Sequence, residues 1–245
     1  MSDVLVLCYH ALSPTWPAPL SVTPDAFEYQ LSYLARKGWV GTTFTRAVSR
    51  PCQPRALAVT FDDAFASVRE LAGPILSSLG WPATVFVPTA FVSRGRPLSW
   101  PGVDHWASTP YAGELRSMTW NDLRELADQG WEIGSHTRTH PRLTSLSDRE
   151  LQRELRSSKA ECSERLGRPC ESVAYPYGDV DGRVVAATRD AGFLFGAALG
   201  RDLRAAGQWR WPRAGVYHAD GPYRFRLKVT TPVRRLRASR LWPAG

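Results

Sequence analysis

Short unbroken apolar runs alternate along the chain with stretches in which apolar residues recur every three or four positions. Runs of the first kind predict buried strands and the others predict amphipathic helices, so their alternation reads as a parallel α/β fold. The predicted strands are Val4–Tyr9, Ala56–Phe61, Ala83–Val87, Trp131–Gly134, Ser172–Tyr175 and Phe193–Ala198. Thr23-Pro24 supplies an N-cap and first helical residue for a helix carrying Phe27, Leu31 and Leu34, which Gly38 ends. A second helix carries Val68, Leu71, Ile75 and Leu79 to Gly80, with a bend expected at Pro74. Thr119 and Asp122 open a third through Leu123 and Leu126 to Gly130. Ser147-x-x-Glu150 is a capping box that starts the longest helix, with Leu151, Leu155, Cys162 and Leu166 apolar and Gly167 ending it. Val184–Asp190 is the last helix predicted.

Six or seven strands with helices between them, and no internal repeat, predict one barrel-like domain, which the 245 residues are enough to build. The rhythm lapses over residues 88–118, a stretch with Trp100, Trp106 and Tyr111 among several Pro and Gly, and a loop this long inside a domain is usually functional. Residues 222–245 read as a partly irregular appendage, so the expected division is a domain over 1–221 and a basic C-terminal appendage over 222–245.

Composition narrows the class. With 43% hydrophobic and 22% charged residues the chain buries a core, and no apolar run approaches the roughly 18 residues of a membrane-spanning helix. Val4–Tyr9 is short and no basic residue precedes it, so no secretory signal is expected. Cys8, Cys52, Cys162 and Cys170 are too sparse for a disulfide framework, and a reducing, cytoplasmic setting is the expectation. The net charge of +8 is unevenly spread, since residues 201–245 hold eleven basic residues against only Asp202 and Asp220. Charge confined to a tail, with no recognised motif beside it, argues against nucleic acid.

Three polar clusters follow the carboxyl ends of predicted strands: Thr60-Phe61-Asp62-Asp63, Ser135-His136-Thr137-Arg138-Thr139-His140 and Ala174-Tyr175-Pro176-Tyr177-Gly178. In parallel α/β folds the loops at that edge converge on one opening. Two adjacent buried carboxylates repel each other, and a divalent cation removes the conflict. His136 and His140 are four apart, so a helical turn or a tight loop brings both imidazoles to one ion. Two His and one Asp with an open position suit zinc catalysis. One aspartate then binds metal and the other stays free as a base, with a histidine protonating the leaving amine.

These segments resemble motifs one to three of the polysaccharide deacetylases, the NodB-homology enzymes of carbohydrate esterase family 4. The resemblance covers roughly residues 3–218 and implies a distorted (β/α) barrel of seven or eight strands. It further implies that Asp62 is the catalytic base and that Asp63, His136 and His140 bind the metal, Zn2+ or another divalent ion such as Co2+ or Ni2+. The backbone N–H of Tyr177 would contribute to the oxyanion site. Leu7-Cys8-Tyr9-His10, with Phe27-Glu28-x-x-Leu31 and Gly38-Trp39, resembles the circularly permuted branch acting on poly-N-acetylglucosamine. There the histidine after the first strand is the general acid, which makes His10 the candidate and His218 its competitor. Ala64 stands where many members carry Gly, and Ala174 where an Arg usually touches the base. Arg213 is the candidate to supply that charge from another strand.

The implied reaction is metal-dependent removal of the N-acetyl group from an acetylated amino sugar in a polysaccharide, a lipid-linked or nucleotide-linked precursor, or a small glycoside. The alternatives are a hydrolase of another amide or acetyl ester, or a non-catalytic carbohydrate- or membrane-binding relative. Trp100, Trp106 and Tyr111, with Tyr175, Pro176 and His218, are the candidate substrate contacts. Arginines interleaved with Phe225, Leu227, Val229, Val233, Leu236, Leu241 and Trp242 predict that the tail rests on an anionic membrane surface, peripheral on its inner face.

Overall fold

The computed structural model describes residues 3–49, 54–92, 97–199 and 207–233. In chain order the strands are β1 (Asp3–Tyr9), β2 (Ala11–Leu12), β3 (Ser21–Val22), β4 (Val40–Thr42), β5 (Arg55–Phe61), β6 (Thr84–Val87), β7 (Glu132–Ser135), β8 (Ser172–Ala174), β9 (Phe195–Ala198), β10 (Trp211–Pro212) and β11 (Ala214–Gly215). The α-helices are α1 (Pro24–Arg36), α2 (Phe44–Ser49), α3 (Gly73–Ser78), α4 (Thr89–Val92), α5 (Trp120–Asp128), α6 (Asp148–Leu166), α7 (Gly182–Asp190) and α8 (Pro222–Val229).

The main sheet runs β10-β9-β8-β7-β6-β5-β1-β11, with β4 also on β5, and every ladder in it is parallel. Its longest ladder pairs β1 with β5 from Asp3↔Arg55 to Tyr9↔Phe61. The two ends of this path, β10 and β11, are separated in the chain by Arg213 alone. The sheet therefore begins and ends in one short segment and curls into a nearly closed barrel.

Strand alternation sorts the side chains between the barrel's two faces. Leu5, Leu7, Leu57, Val59, Val85 and Val173 join the large cluster under the helices, while Val6, Ala56, Ala58, Phe86, Ala174 and Ala197 form a separate inner one. Most of the inner strand residues are small, and the Phe86 ring fills much of the space they leave. A Cβ on Gly134 would lie 2.6 Å from both the Phe86 ring and Ser172 Oγ.

The predicted helix ends are observed as caps. Thr23 Oγ1 accepts from the Ala26 N–H, and Thr119 with Asp122 and Ser147 with Glu150 close reciprocal capping boxes. Gly167 ends α6 in the left-handed region at φ +63°. The predicted strands are also present, shifted by no more than two residues at either end.

Three readings change. The bent helix over 68–79 is a π turn (Val68–Ala72) running into α3, with the change of winding at Gly73-Pro74, where Pro74 has no N–H to donate. The stretch over 88–118 carries α4 and two 3-10 turns, Asp104–Ser108 and Ala112–Leu115. At 222–229 the expected irregular chain is the helix α8, whose Phe225 and Val229 are buried in the core beside α1. Residues 234–245, with Leu236, Leu241 and Trp242, lie outside the described residues.

Candidate metal centre

Asp62 and Asp63 leave the end of β5, and the Asp62 N–H donates to the Tyr9 carbonyl at the end of β1 (3.0 Å). His136 follows β7, and its N–H donates to the Val87 carbonyl of β6 (2.8 Å). Parallel strands β5 and β7, with β6 between them, thus carry the two motifs to one edge. The segment from His136 to His140 is a tight loop and not a helical turn, with left-handed backbone at Thr137 (φ +65°) and His140 (φ +59°). Asp63 (φ +72°), Ala64 (φ +55°) and Tyr177 (φ +59°) complete the non-glycine residues of that conformation among the described residues. All five lie in the three loops predicted to carry chemistry, and each costs roughly 1–2 kcal/mol. Ala64 occupies this conformation where glycine would be unstrained.

The loop is pinned from α6. The buried Glu154 carboxylate accepts from the N–H groups of Arg138 and Thr139 and from Thr139 Oγ1, each at 2.8 Å. Ser135 Oγ accepts from the Thr137 N–H (3.0 Å), and Thr137 Oγ1 accepts from the His140 N–H (3.2 Å).

Asp63, His136 and His140 are buried together. Asp63 Oδ1 lies 3.4 Å from His136 Nε2 and 3.3 Å from His140 Nε2. His136 Nδ1 is 2.8 Å from the Ala174 carbonyl, to which it can only donate, so in the neutral ring Nε2 carries a lone pair. Burial pulls the His136 pKa down to about 4, against the raising effect of Asp62, which keeps the ring neutral near pH 7. A lone pair and a carboxylate oxygen therefore face each other at 3.4 Å, and Asp63 Oδ1 is buried with no hydrogen-bond partner. Two acceptors so placed call for a cation between them. The ligand atoms of the three residues fall within 4.8 Å of one another, a set able to hold a divalent ion.

Asp62 is held differently. Arg213 Nη1 donates to Oδ1 (2.7 Å) and Nη2 to Oδ2 (2.8 Å), both side chains are buried, and Nη1 also reaches Thr60 Oγ1 (3.0 Å). The expected charge from another strand is thus present where Ala174 offers none. Burial pushes the Asp62 carboxyl up, but Arg213 and then His136 outweigh it and hold the group well below the usual carboxylate range.

His10, just past β1, places a ring nitrogen within 4.8 Å of both Asp62 and Cys8, whereas His218 is exposed after β11 with its N–H on the Pro19 carbonyl. The structure brings His10 to the site and leaves His218 at the surface. Tyr177 is partly exposed, its ring against His140 (4.8 Å) and under the Arg142 guanidinium (4.4 Å).

Three of the six expected sugar contacts, Trp100, Tyr175 and Pro176, are buried, Trp106 and Tyr111 are half-buried, and His218 is exposed. Trp100 is buried with its ring stacked on His140 at 4.1 Å, so it backs a candidate ligand. Trp106 packs against Trp16 (5.6 Å) and Tyr111 (5.7 Å), and both Trp106 and Tyr111 lie on the core. Tyr175 is fully buried and donates its hydroxyl to the Trp209 carbonyl (2.6 Å), and Pro176 is buried beside it. Periodicity does not separate Trp100, Trp106 and Tyr111 from ligand-facing aromatics, because the loop that holds them has none.

Cys8, Glu154 and Tyr217 also belong to the site. Cys8 Sγ lies 3.4 Å from Asp62 Oδ2, and Tyr217 stacks at 6.5 Å on His10. A Cβ on Gly215 would lie 2.6 Å from the Tyr217 hydroxyl, so glycine makes room for that ring. A signal for Glu154 does exist, as a carboxylate lying within the buried stripe of a long helix, one turn after Leu151.

Residues 49–196 match the family model for polysaccharide deacetylases. A Bacillus subtilis (strain 168) protein named "Putative polysaccharide deacetylase YxkH" is 24% identical over 196 residues, 78% of this chain and 62% of that protein, so the match spans less than two thirds of its length. Among solved structures, the Streptococcus pyogenes deacetylase PplD in complex with acetate superposes with a TM-score of 0.75 at 22% identity, over 93% of this chain and 98% of that one. IcaB from Ammonifex degensii superposes with a TM-score of 0.72 at 24% identity, over 97% of each chain. Both share the barrel architecture described above. With the family model covering more than half of its length, the chain belongs to the polysaccharide deacetylase family.

Proposed function

We propose that this protein is a metal-dependent hydrolase that removes the N-acetyl group from an acetylated amino sugar. The observation that carries this reading is the pairing of two unlike carboxylates at one mouth. Asp63 faces two imidazole nitrogens with no hydrogen bond to its Oδ1, while its neighbour Asp62 is locked in an arginine fork. A zinc ion, or Co2+ or Ni2+, held by Asp63, His136 and His140 would bring the pKa of a water to about 7 and polarise the acetyl carbonyl.

Asp62 then acts as the base that accepts the proton of the attacking water, kept ionised and fixed in direction by Arg213. The departing amine needs a proton, and His10, beside Asp62, is the group placed to give it. Tyr177, held left-handed against His140, offers its backbone N–H to the charge that develops on the acetyl oxygen. Tyr177 and Tyr217, each a little over one third exposed, are aromatic faces proposed to meet the sugar, with the half-buried Trp106 and Tyr111 as further candidates. The basic tail is proposed to meet an anionic membrane surface, supported by its charge alone.

The test is acetate release from a panel of N-acetylhexosamine substrates, polymeric, lipid-linked and small, with a chelator control and Asp62→Asn. The asparagine variant is expected to keep its metal and lose turnover by about 10²–10⁴-fold, the usual range for one general base. Full activity in that variant, or release unaffected by the chelator, would overturn the reading.

A further inference from the structure

A second group of ligand atoms sits beside the first. Cys8 Sγ is 3.4 Å from Asp62 Oδ2, and a ring nitrogen of His10 completes a set whose atoms all lie within 4.8 Å of one another. Cys8 is fully buried, and His10 Nδ1 is buried with no hydrogen-bond partner. None of the three belongs to the Asp63–His136–His140 group.

We propose that Cys8, His10 and Asp62 form a second cation site, selective for thiophilic divalent ions such as Cd2+ or Zn2+. One sulfur, one imidazole nitrogen and one carboxylate oxygen make a soft-to-borderline donor set. Mg2+ and Ca2+ need six or more oxygen ligands and find a single carboxylate here. Binding exchanges a proton for the metal: the Cys8 S–H bond breaks, the sulfur keeps the electron pair and donates it to the ion, and the proton leaves to buffer.

Arg213 already neutralises Asp62, so the thiolate is the site's one uncompensated negative charge. Affinity then rests on the metal–sulfur bond, which sets the preference for soft ions. An ion here would engage Asp62 Oδ2 and the His10 ring, the proposed base and acid, so inhibition by excess soft metal follows. That consequence rests on the proposed deacetylase reading, whereas the binding itself does not.

The experiment is a Cd2+ titration of the full metal-free chain, followed by sulfur-to-cadmium charge-transfer absorption and by metal content per chain. Two Cd2+ per chain are expected, one of them bringing the thiolate band. Cys8→Ser keeps a hydroxyl to donate to Asp62 but binds soft ions poorly, so it should take one Cd2+ and lose the band. A wild-type chain without the band, or the same band in Cys8→Ser, where Cys52, Cys162 and Cys170 remain, would overturn the proposal. A Cys8-dependent band in a chain that releases no acetate with any metal would uphold the site and refute the hydrolase reading.

Discussion

Arg213 grips both oxygens of Asp62, at 2.7 and 2.8 Å, from a position 151 residues away in the chain. It is the one residue between β10 and β11, where the barrel closes, so the segment that closes the sheet also carries the counter-charge of Asp62. Its guanidinium also lies over the Phe86 ring at 5.3 Å, at the top of the bore. Burial alone would raise the Asp62 carboxyl, and the arginine reverses that. Since the folded carboxyl sits below its unfolded value of about 4, the pair contributes stability above that pH and loses it as pH falls toward the folded value.

Arg213→Ala leaves a buried carboxylate unpaired, and unfolding in urea should show a loss of about 3–5 kcal/mol. Without the arginine, the largest of the lowering influences, the Asp62 carboxyl rises, so the acidic limb of the kcat/KM profile should move to higher pH. Arg213→Lys, which cannot form the fork, should shift the limb in the same direction at a smaller cost in stability. An unmoved limb in Arg213→Ala would remove the arginine from the mechanism.

Glu154 touches neither carboxylate of the site, yet it holds two N–H groups of the loop between the histidines. Glu154→Ala should weaken metal affinity by about 10–100-fold, as loss of an outer partner typically does. Competition against a chelator of known affinity measures this, and Glu154→Gln, with one amide oxygen left to accept, should fall between. Equal affinities in all three proteins would show that the loop holds itself.

Metal removal should lower the melting temperature, because an ion that binds only the folded chain stabilises it. At a free concentration about 100 times Kd the gain is about 2.7 kcal/mol. In a Cys8→Ser background, which removes the second proposed site, calorimetry with and without chelator should show this shift, and the further change Asp63→Ala should abolish it. A shift that persists after both changes would place the stabilising ion elsewhere.

The tail offers a separable test. Because α8 buries Phe225 and Val229, a cut after Gly221 would open the core, and the informative truncation ends at Val233. The full chain should co-sediment with anionic vesicles at low salt and release as salt rises, while the chain ending at Val233 should not. Identical sedimentation of the two would discard the membrane role for residues 234–245.

Strands and helices long enough to show a period were legible in the chain, as the caps at Thr23, Thr119 and Ser147 illustrate. The two-residue strands β2, β3, β10 and β11 and the three-residue β4, none of whose residues is buried, were not, since they show neither a period nor an apolar run, whereas the equally short β8 is wholly buried and was legible. Their existence depends on the neighbouring strand that each one meets.

By itself the sequence determined the alternation of strands and helices, the edge at which Asp62, Asp63, His136 and His140 gather, and the family pattern they follow, because each is written in local spacing. Only the tertiary structure decided that His10 rather than His218 stands beside Asp62, that Cys8 and Tyr217 join it, and that Trp100 and Tyr175 are spent on packing. Those outcomes turn on which distant segments the closing barrel presses together. Sequence separation carries no record of that, because an aromatic ring or an imidazole has the same local signature whether it lines a cleft or fills a core.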